Sequence, residues 1–208
     1  MKEHWNKVYD SKEIDTLGWY EPISGPSIEL ISKCGIDKNE PILDVGVGAS
    51  TLIDSLLDRG YTNIIGVDIS ELALNKLSER LGEERAKSVT LIADDITNPR
   101  YLQELSDIAI WHDRALLHFL LEEAHRQSYF AILKRIVKKG GFVIIAAFSL
   151  TGKKKCSGLD IINYDQNMLS ALLGDDFDLI EEFDYTYITP WNEDRPYIYT
   201  LFKRKAPA

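Results

Sequence analysis

Two glycines and an acid stand together where an apolar stretch of the sequence gives way to a polar one. Gly46 and Gly48 would let the backbone pass close to a ligand without Cβ collisions. A helix that follows, capped by Ser50 or Thr51, would offer free N–H groups to the same ligand. Asp44 precedes the first glycine by two positions, and a carboxylate there would repel a pyrophosphate but attract an ammonium or sulfonium group. The alternative is that the glycines serve only a tight strand-to-helix turn.

Acidic residues also end the next two apolar stretches. Asp68 lies 68 − 44 = 24 residues after the first acid, near the spacing at which a carboxylate accepts both hydroxyls of an adenosine ribose. Asp95 would lie at the adenine edge and accept from the exocyclic amine, whereas the neighbouring Asp94 is expected to be solvated. Each acid has an ordinary alternative as a helix or turn cap. Ile69 and Ile96, which follow these acids, are expected to line the same cofactor site.

A third group of residues is placed to act on a second substrate. Asp113 is predicted to be catalytic, and His112 either acts as a base near neutral pH or packs into the sheet. These two side chains face opposite ways if the strand extends that far, because side chains alternate along a strand. Trp111, Arg114 and His118 are predicted to contact the acceptor molecule.

Aromatic residues near the N-terminus are predicted to cover the site. Trp19 and Tyr20 are flanked by turn-forming glycine and proline, so we expect a lid in which Trp19 contacts the cofactor and Tyr20 the acceptor. Aromatic faces bind cations such as a sulfonium or a methylated ammonium. Trp5 and Tyr9 either pack a short helix onto the domain or join the lid. Phe119 either packs in the core or lines the acceptor pocket.

Alternating apolar runs and helical periodicity predict the elements that position these residues. We expect an α/β fold with a single doubly wound, Rossmann-like sheet of seven strands, mostly parallel with an antiparallel C-terminal edge strand, and helices on both faces. The predicted strands are Pro41 to Val45, Asn63 to Asp68, Ser88 to Asp95, Asp107 to Arg114, Phe142 to Ser149, and two runs near Asp178 to Thr189 and Tyr197 to Arg204. The predicted helices run from about Ser27 to Cys34, Thr51 to Arg59, Ser70 to Gly82, Glu122 to Lys138 and Asp165 to Leu173, and the fourth is followed by Gly140 and Gly141.

Length, charge and cysteine content limit the classes of protein to which the chain could belong. The 208 residues suit one domain, and 24 basic against 33 acidic residues give a net charge of −9, which disfavours a nucleic-acid partner. No apolar run is long enough to span a membrane, and no secretory signal is recognisable, so a cytoplasmic protein is expected. Cys34 and Cys156 lie far apart, which predicts neither a disulfide nor a metal site. Cys156 stands in a long polar loop that is expected to contact the acceptor. Composition does not indicate an oligomeric state.

Three segments carry a family resemblance. "ILDVGVGAS", "GVDIS" and "ADDIT" resemble, in order and spacing, the first three motifs of class I S-adenosylmethionine-dependent methyltransferases. Ser50 stands where that family usually has its third glycine. The opening "HWNKVYD" with the Trp-Tyr pair is similar to small methyltransferases that modify protein lysines. "WHDRALLHFL" is similar to the fourth motif of those enzymes and of thiopurine-type methyltransferases.

The resemblance implies a methyltransferase domain over residues 41–208, preceded by a helical or lid segment over residues 1–40. It implies S-adenosylmethionine as the cofactor, with Asp44 near the ammonium group. The acceptor would be a small molecule or a protein side-chain amine, with lysine the first choice among proteins. Two other interpretations stay open: a nicotinamide-dependent oxidoreductase and a non-catalytic cofactor-binding domain. The acid before the glycine turn argues against the first, because it would face a pyrophosphate.

Overall fold

The computed structural model describes residues 1–206 and contains one seven-stranded sheet and one short hairpin. The strands are β1 (Ile42–Val45), β2 (Ile64–Asp68), β3 (Val89–Ala93), β4 (Ile108–Arg114), β5 (Val137–Phe148), β6 (Lys155–Cys156), β7 (Leu159–Asp160), β8 (Phe177–Ile188) and β9 (Asp194–Arg204). The sheet order is β3-β2-β1-β4-β5-β9-β8, and β6 pairs with β7. Strands β1 to β5 pair in parallel, while β9 runs antiparallel to both neighbours. The predicted Rossmann-like sheet with an antiparallel edge is confirmed.

Helices cover both faces of this sheet. They are α1 (Lys2–Ser11), α2 (Gly25–Lys33), α3 (Leu52–Asp58), α4 (Glu71–Ala86), α5 (Glu123–Ile136) and α6 (Gln166–Leu173). One buried cluster joins apolar side chains of α2, α3 and α4 to the sheet, and a second joins those of α5 and α6. Neighbouring residues of β4 divide between the clusters, with Ile110 in the first and Trp111 in the second. The alternation of side chains along this strand therefore decides which residues can face the site.

Two glycine stops differ from the prediction. Helix α4 continues past Gly82 (φ +74°) to Ala86 as two helical pieces joined at a kink. Helix α5 ends at Ile136, and β5 begins at once, so Gly140 (φ +77°) and Gly141 lie inside a strand. A Cβ atom on Gly141 would lie 2.9 Å from the Lys138 carbonyl oxygen, so glycine serves a tight strand irregularity there. The periodicity of the sequence does not distinguish a glycine inside a strand from a glycine that ends a helix.

Within residues 1–206, no helix has the length and apolar character needed to cross a membrane. The same part of the chain contains no cluster of three or more His, Cys, Asp or Glu side chains arranged to hold a metal ion.

Candidate cofactor and acceptor site

A crevice of about 490 Å³ opens at the carboxyl ends of β1, β2, β3 and β4. Parallel α/β sheets bind ligands at this edge. It is lined by several of the residues singled out from the sequence: Trp19, Gly46, Asp68, Ile69, Asp95, Ile96 and Arg114.

The glycine turn between β1 and α3 closes one side of the crevice. Gly46 (φ +67°) and Gly48 (φ +52°) both adopt left-handed backbone conformations. A Cβ atom on Gly46 would lie 2.7 Å from the Leu116 side chain, and one on Gly48 would collide with the Tyr9 hydroxyl. Glycine is therefore needed here both for the turn and for close packing of the segments that cover it. Ser50, at the third glycine position of the motif, accepts a hydrogen bond from Leu52 N–H at the start of α3 (3.1 Å).

The acid that ends β2 lies on the floor of the crevice. Asp68 is 8% exposed, and its two carboxylate oxygens accept hydrogen bonds of 2.8 Å from the N–H groups of Gly48 and Ser70. Burial raises the pKa of Asp68 from 3.8 to about 6, although the two N–H donors act in the opposite direction. Each oxygen has a further lone pair with which to accept a ligand hydroxyl.

The two acids after β3 have different surroundings. Asp94 accepts hydrogen bonds from the N–H groups of Arg100, Tyr101 and Leu102 at 2.8 to 3.1 Å and is buried, so the expectation that it is solvated was wrong. Asp95 is half-buried and lines the crevice, with one oxygen bonded to the Thr97 hydroxyl (2.7 Å). Asp95 is thus the acid with a carboxylate oxygen available to a ligand.

A smaller cavity of about 40 Å³ adjoins the crevice under the glycine turn. The two spaces share Trp19, Gly46 and Arg114 as lining residues. The smaller one is the more polar, and its further lining residues include Tyr20, Glu21, Ser24, Ser27, Asp44, Ser50, Thr51 and His112. Asp44 therefore faces this cavity rather than the larger crevice.

His112 is held between two polar partners. Its Nδ1 lies 2.7 Å from Asp44 Oδ1 and its Nε2 lies 2.9 Å from Ser27 Oγ, in a site that is almost wholly buried. Both ring nitrogens are engaged, so neither is available to an acceptor molecule in the larger crevice.

The structure corrects two predictions on β4. Asp113 has no exposed surface, and its carboxylate accepts hydrogen bonds from Leu116 N–H (2.9 Å), Leu117 N–H (3.1 Å) and the Tyr129 hydroxyl (2.7 Å). Trp111 is also fully buried and donates to Tyr129 (3.0 Å). Both side chains point to the face covered by α5, so neither reaches the crevice. Burial raises the pKa of Asp113 to about 6, against the opposing effect of its hydrogen bonds.

His118 also lies away from the crevice. It is fully buried and packs between the rings of Phe119 and Phe148, with centroid distances of 4.4 and 4.9 Å. Neither ring nitrogen has a hydrogen-bond partner within the described residues. Burial, with a smaller effect from nearby Arg114, lowers the pKa of His118 to about 3. The side chain is therefore neutral and does not make the predicted acceptor contact.

Arg114 joins the sheet to the segment before α2. Its Nη1 donates to the Trp19 carbonyl (2.9 Å), its Nε donates to the Tyr199 hydroxyl (3.1 Å), and its Nη2 lies 3.0 Å from Glu21 Oε1. The Tyr187 hydroxyl also donates to the Tyr20 carbonyl. The sequence did not single out Glu21 or these tyrosines, although an acid directly after a Trp-Tyr pair was the available signal.

Three aromatic side chains form a wall of the crevice. Trp5 of α1 meets Trp19 and Phe119 edge to face, with ring centroids 5.6 and 5.0 Å apart. All three line the crevice, as do Tyr9 and Cys156. The side chains of Trp5 and Phe119 thus pack against each other and also line the crevice.

Comparisons with known proteins agree with this arrangement. A family model described as a methyltransferase domain matches residues 42–141. EEF1A lysine methyltransferase 2 from Danio rerio is 27% identical over 161 residues, covering 72% of this chain and 69% of the relative. A putative protein N5-glutamine methyltransferase from Methanocaldococcus jannaschii is 28% identical over 157 residues, covering 65% of this chain and 75% of the relative.

A crystal structure of an S-adenosylmethionine-dependent methyltransferase from Anabaena variabilis has the same fold, with a TM-score of 0.78 at 14% identity, covering 98% of this chain and 93% of that one. Residues 42–141 thus match a methyltransferase domain. In sequence and in fold, the chain is similar to class I S-adenosylmethionine-dependent methyltransferases.

Proposed function

We propose that the crevice binds the adenosine part of S-adenosylmethionine and that the small cavity receives its amino-acid end. Asp68 would accept the ribose hydroxyls, and Asp95 would accept from the adenine amine. Asp44 would face the ammonium group. The lining of the crevice fits this cofactor better than a dinucleotide. Three carboxylates line the crevice, and they would repel a pyrophosphate: Asp68, Asp94 and Asp95.

The acceptor that the geometry supports best is a lysine side chain of a protein. The observation that carries this proposal is the aromatic wall of Trp5, Trp19 and Phe119, because a lysine has an apolar stem and an amine that aromatic faces bind. The similarity to EEF1A lysine methyltransferases points to the same acceptor class. A small-molecule amine is the second candidate, since α1 covers the crevice through its aromatic contact with Phe119.

The protein acts chiefly by alignment and desolvation. S-adenosylmethionine supplies the electrophilic methyl group when bound. The crevice residues orient the two reactants, and the aromatic lid excludes water, which can account for about 7–11 kcal/mol of the barrier. The attacking amine must be neutral, and desolvation against the apolar walls of the crevice favours the neutral form of an entering lysine. The proton would leave to solvent before the lid segment closes over the amine.

Three broader proposals accompany this function. Residues 1–40 form a lid segment on a methyltransferase domain of residues 41–208. The protein works in the cytoplasm, a compartment that suits its two free, buried cysteines, Cys34 and Cys156. Its acceptor is not a nucleic acid, in keeping with the net charge of −9.

Methyl transfer from labelled S-adenosylmethionine into a fractionated cell extract tests the acceptor. We expect label in protein, recovered as methyl-lysine after hydrolysis, and less label with the Asp68→Asn variant at a limiting concentration of S-adenosylmethionine. Label confined to small molecules would replace the lysine proposal with the second candidate. Calorimetry that detected NAD binding but no S-adenosylmethionine binding would overturn the cofactor proposal itself.

A further inference from the structure

Strand β8 has a neighbouring strand on only one side. It is last in the sheet order and pairs with β9 along its length. Between Asp178 and Ile188, no backbone hydrogen bond within residues 1–206 joins its outer side to another segment. The strand is 12 residues long and has one irregularity in its pairing, between Leu179 and Glu181. Such a strand offers a row of backbone N–H and C=O groups with which another extended chain can pair.

The same part of the chain is strongly acidic. Residues 175–194, here named the acidic edge, contain eight acidic side chains and no lysine or arginine. The eight acids are Asp175, Asp176, Asp178, Glu181, Glu182, Asp184, Glu193 and Asp194. Three of them pair with lysines elsewhere in the chain. Glu182 and Asp184 are exposed and have no ionic partner in the part of the chain that the structure describes, so their charges are available to a binding partner.

One face of β8 is open beside these two acids. On the covered face, Phe183 stacks on a tyrosine of β9 with ring centroids 5.4 Å apart, and Tyr187 is buried. Because side chains alternate along a strand, Glu182, Asp184 and Ile188 share the opposite face. All three are exposed, and Ile188 is 48% exposed. A neighbouring strand that carries both basic and apolar side chains would match this face.

The acidic edge reaches the end of the sheet at which the crevice opens. Because β9 runs antiparallel to β5, the turn between β8 and β9 lies where the parallel strands end. The Tyr187 hydroxyl near that turn donates to the Tyr20 carbonyl, and Tyr20 lines the smaller cavity. Trp191 in the turn is 46% exposed, and its ring lies so close to Gly18 that a Cβ atom there would be 2.7 Å away. A chain bound along β8 would therefore leave it beside the segment that borders the site.

The charge of this edge selects among the chains that could pair with it. A second copy of the protein would bring the same acids to the contact, and like charges on neighbouring strands are destabilising. A nucleic acid would be repelled, because its binding depends on basic side chains that neutralise phosphates. A segment rich in lysine or arginine would instead place opposite charges across the new strand pair.

We propose that β8 binds a basic, extended segment of the protein acceptor, which adds to the sheet as a further strand. Glu182 and Asp184 pair with its basic side chains, and Ile188 contacts an apolar one. This inference rests on the proposed protein acceptor and assigns the acceptor a second contact with the enzyme, outside the crevice. A docked segment raises the effective concentration of the target lysine at the crevice.

The test measures binding of a fluorescent peptide to the purified full chain by anisotropy. The peptide alternates lysine and valine over about ten residues, enough to cover one strand. The combined Glu182→Gln and Asp184→Asn variant should bind it about two- to twentyfold more weakly, because two cross-strand charge pairs are lost. The same peptide with every backbone nitrogen methylated keeps its charge but has no N–H donors. It should bind the wild-type protein about tenfold or more weakly.

The matched control removes two exposed acids from the opposite side of the sheet. Glu83 and Glu84 of α4 have side chains that are 85% and 89% exposed, and α4 packs beside β3, the other edge strand. The combined Glu83→Gln and Glu84→Gln variant changes the net charge by the same amount and should keep the wild-type affinity. Thermal unfolding establishes that both variants are folded.

Three outcomes would overturn docking at β8. Equal weakening in the two double variants would show a general attraction to an acidic protein, and equal binding of the methylated peptide would exclude strand pairing. A dimer in sedimentation that dissociates in the Glu182 and Asp184 variant would make a second copy the occupant.

Labelled methyl transfer into cell extract distinguishes this inference from the proposed function. The Glu182 and Asp184 variant should label protein about two- to twentyfold more slowly than the α4 control, with unchanged affinity for S-adenosylhomocysteine. Equal rates would leave the protein acceptor in place and refute the docking. If wild-type enzyme labelled no protein, the proposed acceptor would fail, and the peptide measurement would still decide whether β8 binds a basic strand.

Discussion

The guanidinium of Arg114 and the carboxylate of Glu21 lie 3.0 Å apart with side chains only 11% and 6% exposed. One residue ends β4 and the other follows the Trp19-Tyr20 pair, so the ion pair fastens the segment before α2 to the edge of the sheet where the crevice opens. Burial raises the pKa of Glu21, and Arg114 acts in the opposite direction. The position of this segment therefore depends on a buried ion pair.

Replacing Glu21 by glutamine should destabilise the protein by about 3–5 kcal/mol, because removing one partner leaves the other charge buried and uncompensated. Urea unfolding followed by tryptophan fluorescence measures the loss. The control is Glu71→Gln, which breaks the exposed ion pair between Lys2 and Glu71 and should leave the unfolding midpoint unchanged. Equal midpoints for the two variants would show that the buried pair contributes nothing.

Cofactor affinity should depend on pH through Asp68. Its pKa in the folded protein is about 6, above the ordinary 3.8, so its contribution to stability is greatest below pH 4 and is lost as the pH rises to about 6. Ribose hydroxyls donate to the ionised carboxylate, so binding favours the deprotonated form. We expect affinity to be constant above pH 7 and to fall by about tenfold per pH unit below 6.

Calorimetry with S-adenosylhomocysteine between pH 5 and 8 measures this dependence. In the Asp68→Asn variant the affinity at pH 7 should be lower by about 1–3 kcal/mol, the effect of losing charged hydrogen bonds. The fall below pH 6 should also disappear. A variant that kept the wild-type pH profile would mean that another group titrates on binding.

Local patterns were sufficient to predict the sheet and to place Asp68 and Asp95 in one crevice. Short apolar runs ending in an acid identified β1, β2 and β3, and the parallel arrangement places Asp68 and Asp95 together at one edge. The glycine turn could be predicted because a turn with positive φ angles requires glycine, and Gly46 and Gly48 both have positive φ angles in the structure. These features depend on residues that are close in sequence.

The surroundings of the β4 side chains depend on contacts between residues far apart in the sequence, which local patterns do not contain. Alternation along β4 predicted that His112 and Asp113 face opposite ways, but which face is closed depends on where α5 packs. Arg114 contacts Tyr199, which lies 85 residues later in the sequence. It also contacts Glu21, which lies far earlier in the sequence. No periodicity within a single segment indicates such a cluster.

Replacing Asp113 by alanine should lower stability and spare the chemistry. Its carboxylate satisfies Leu116 N–H, Leu117 N–H and the Tyr129 hydroxyl, and buried donors left without partners cost about 1–3 kcal/mol each. Urea unfolding should show a loss larger than that of Tyr129→Phe, which removes one of these bonds. Turnover per folded molecule at low temperature should fall far less than the ~10²–10⁴-fold loss of a general base. A loss of that size without destabilisation would restore the catalytic role.

Replacing Phe119 by leucine should impair acceptor use and leave the cofactor site intact. Phe119 closes the aromatic wall against Trp5 at 5.0 Å, on the side of the crevice formed by the segment after β4. Leucine keeps the apolar bulk but removes the ring face, and cation–π contacts are worth about 0.5–2 kcal/mol. The KM for the acceptor should therefore rise by about two- to thirtyfold, while the dissociation constant of S-adenosylhomocysteine changes little. Phe119→Tyr retains the ring and should retain the wild-type KM. If both variants behaved alike, or if cofactor affinity fell with the KM, the wall would serve packing and the lysine proposal would lose its structural support.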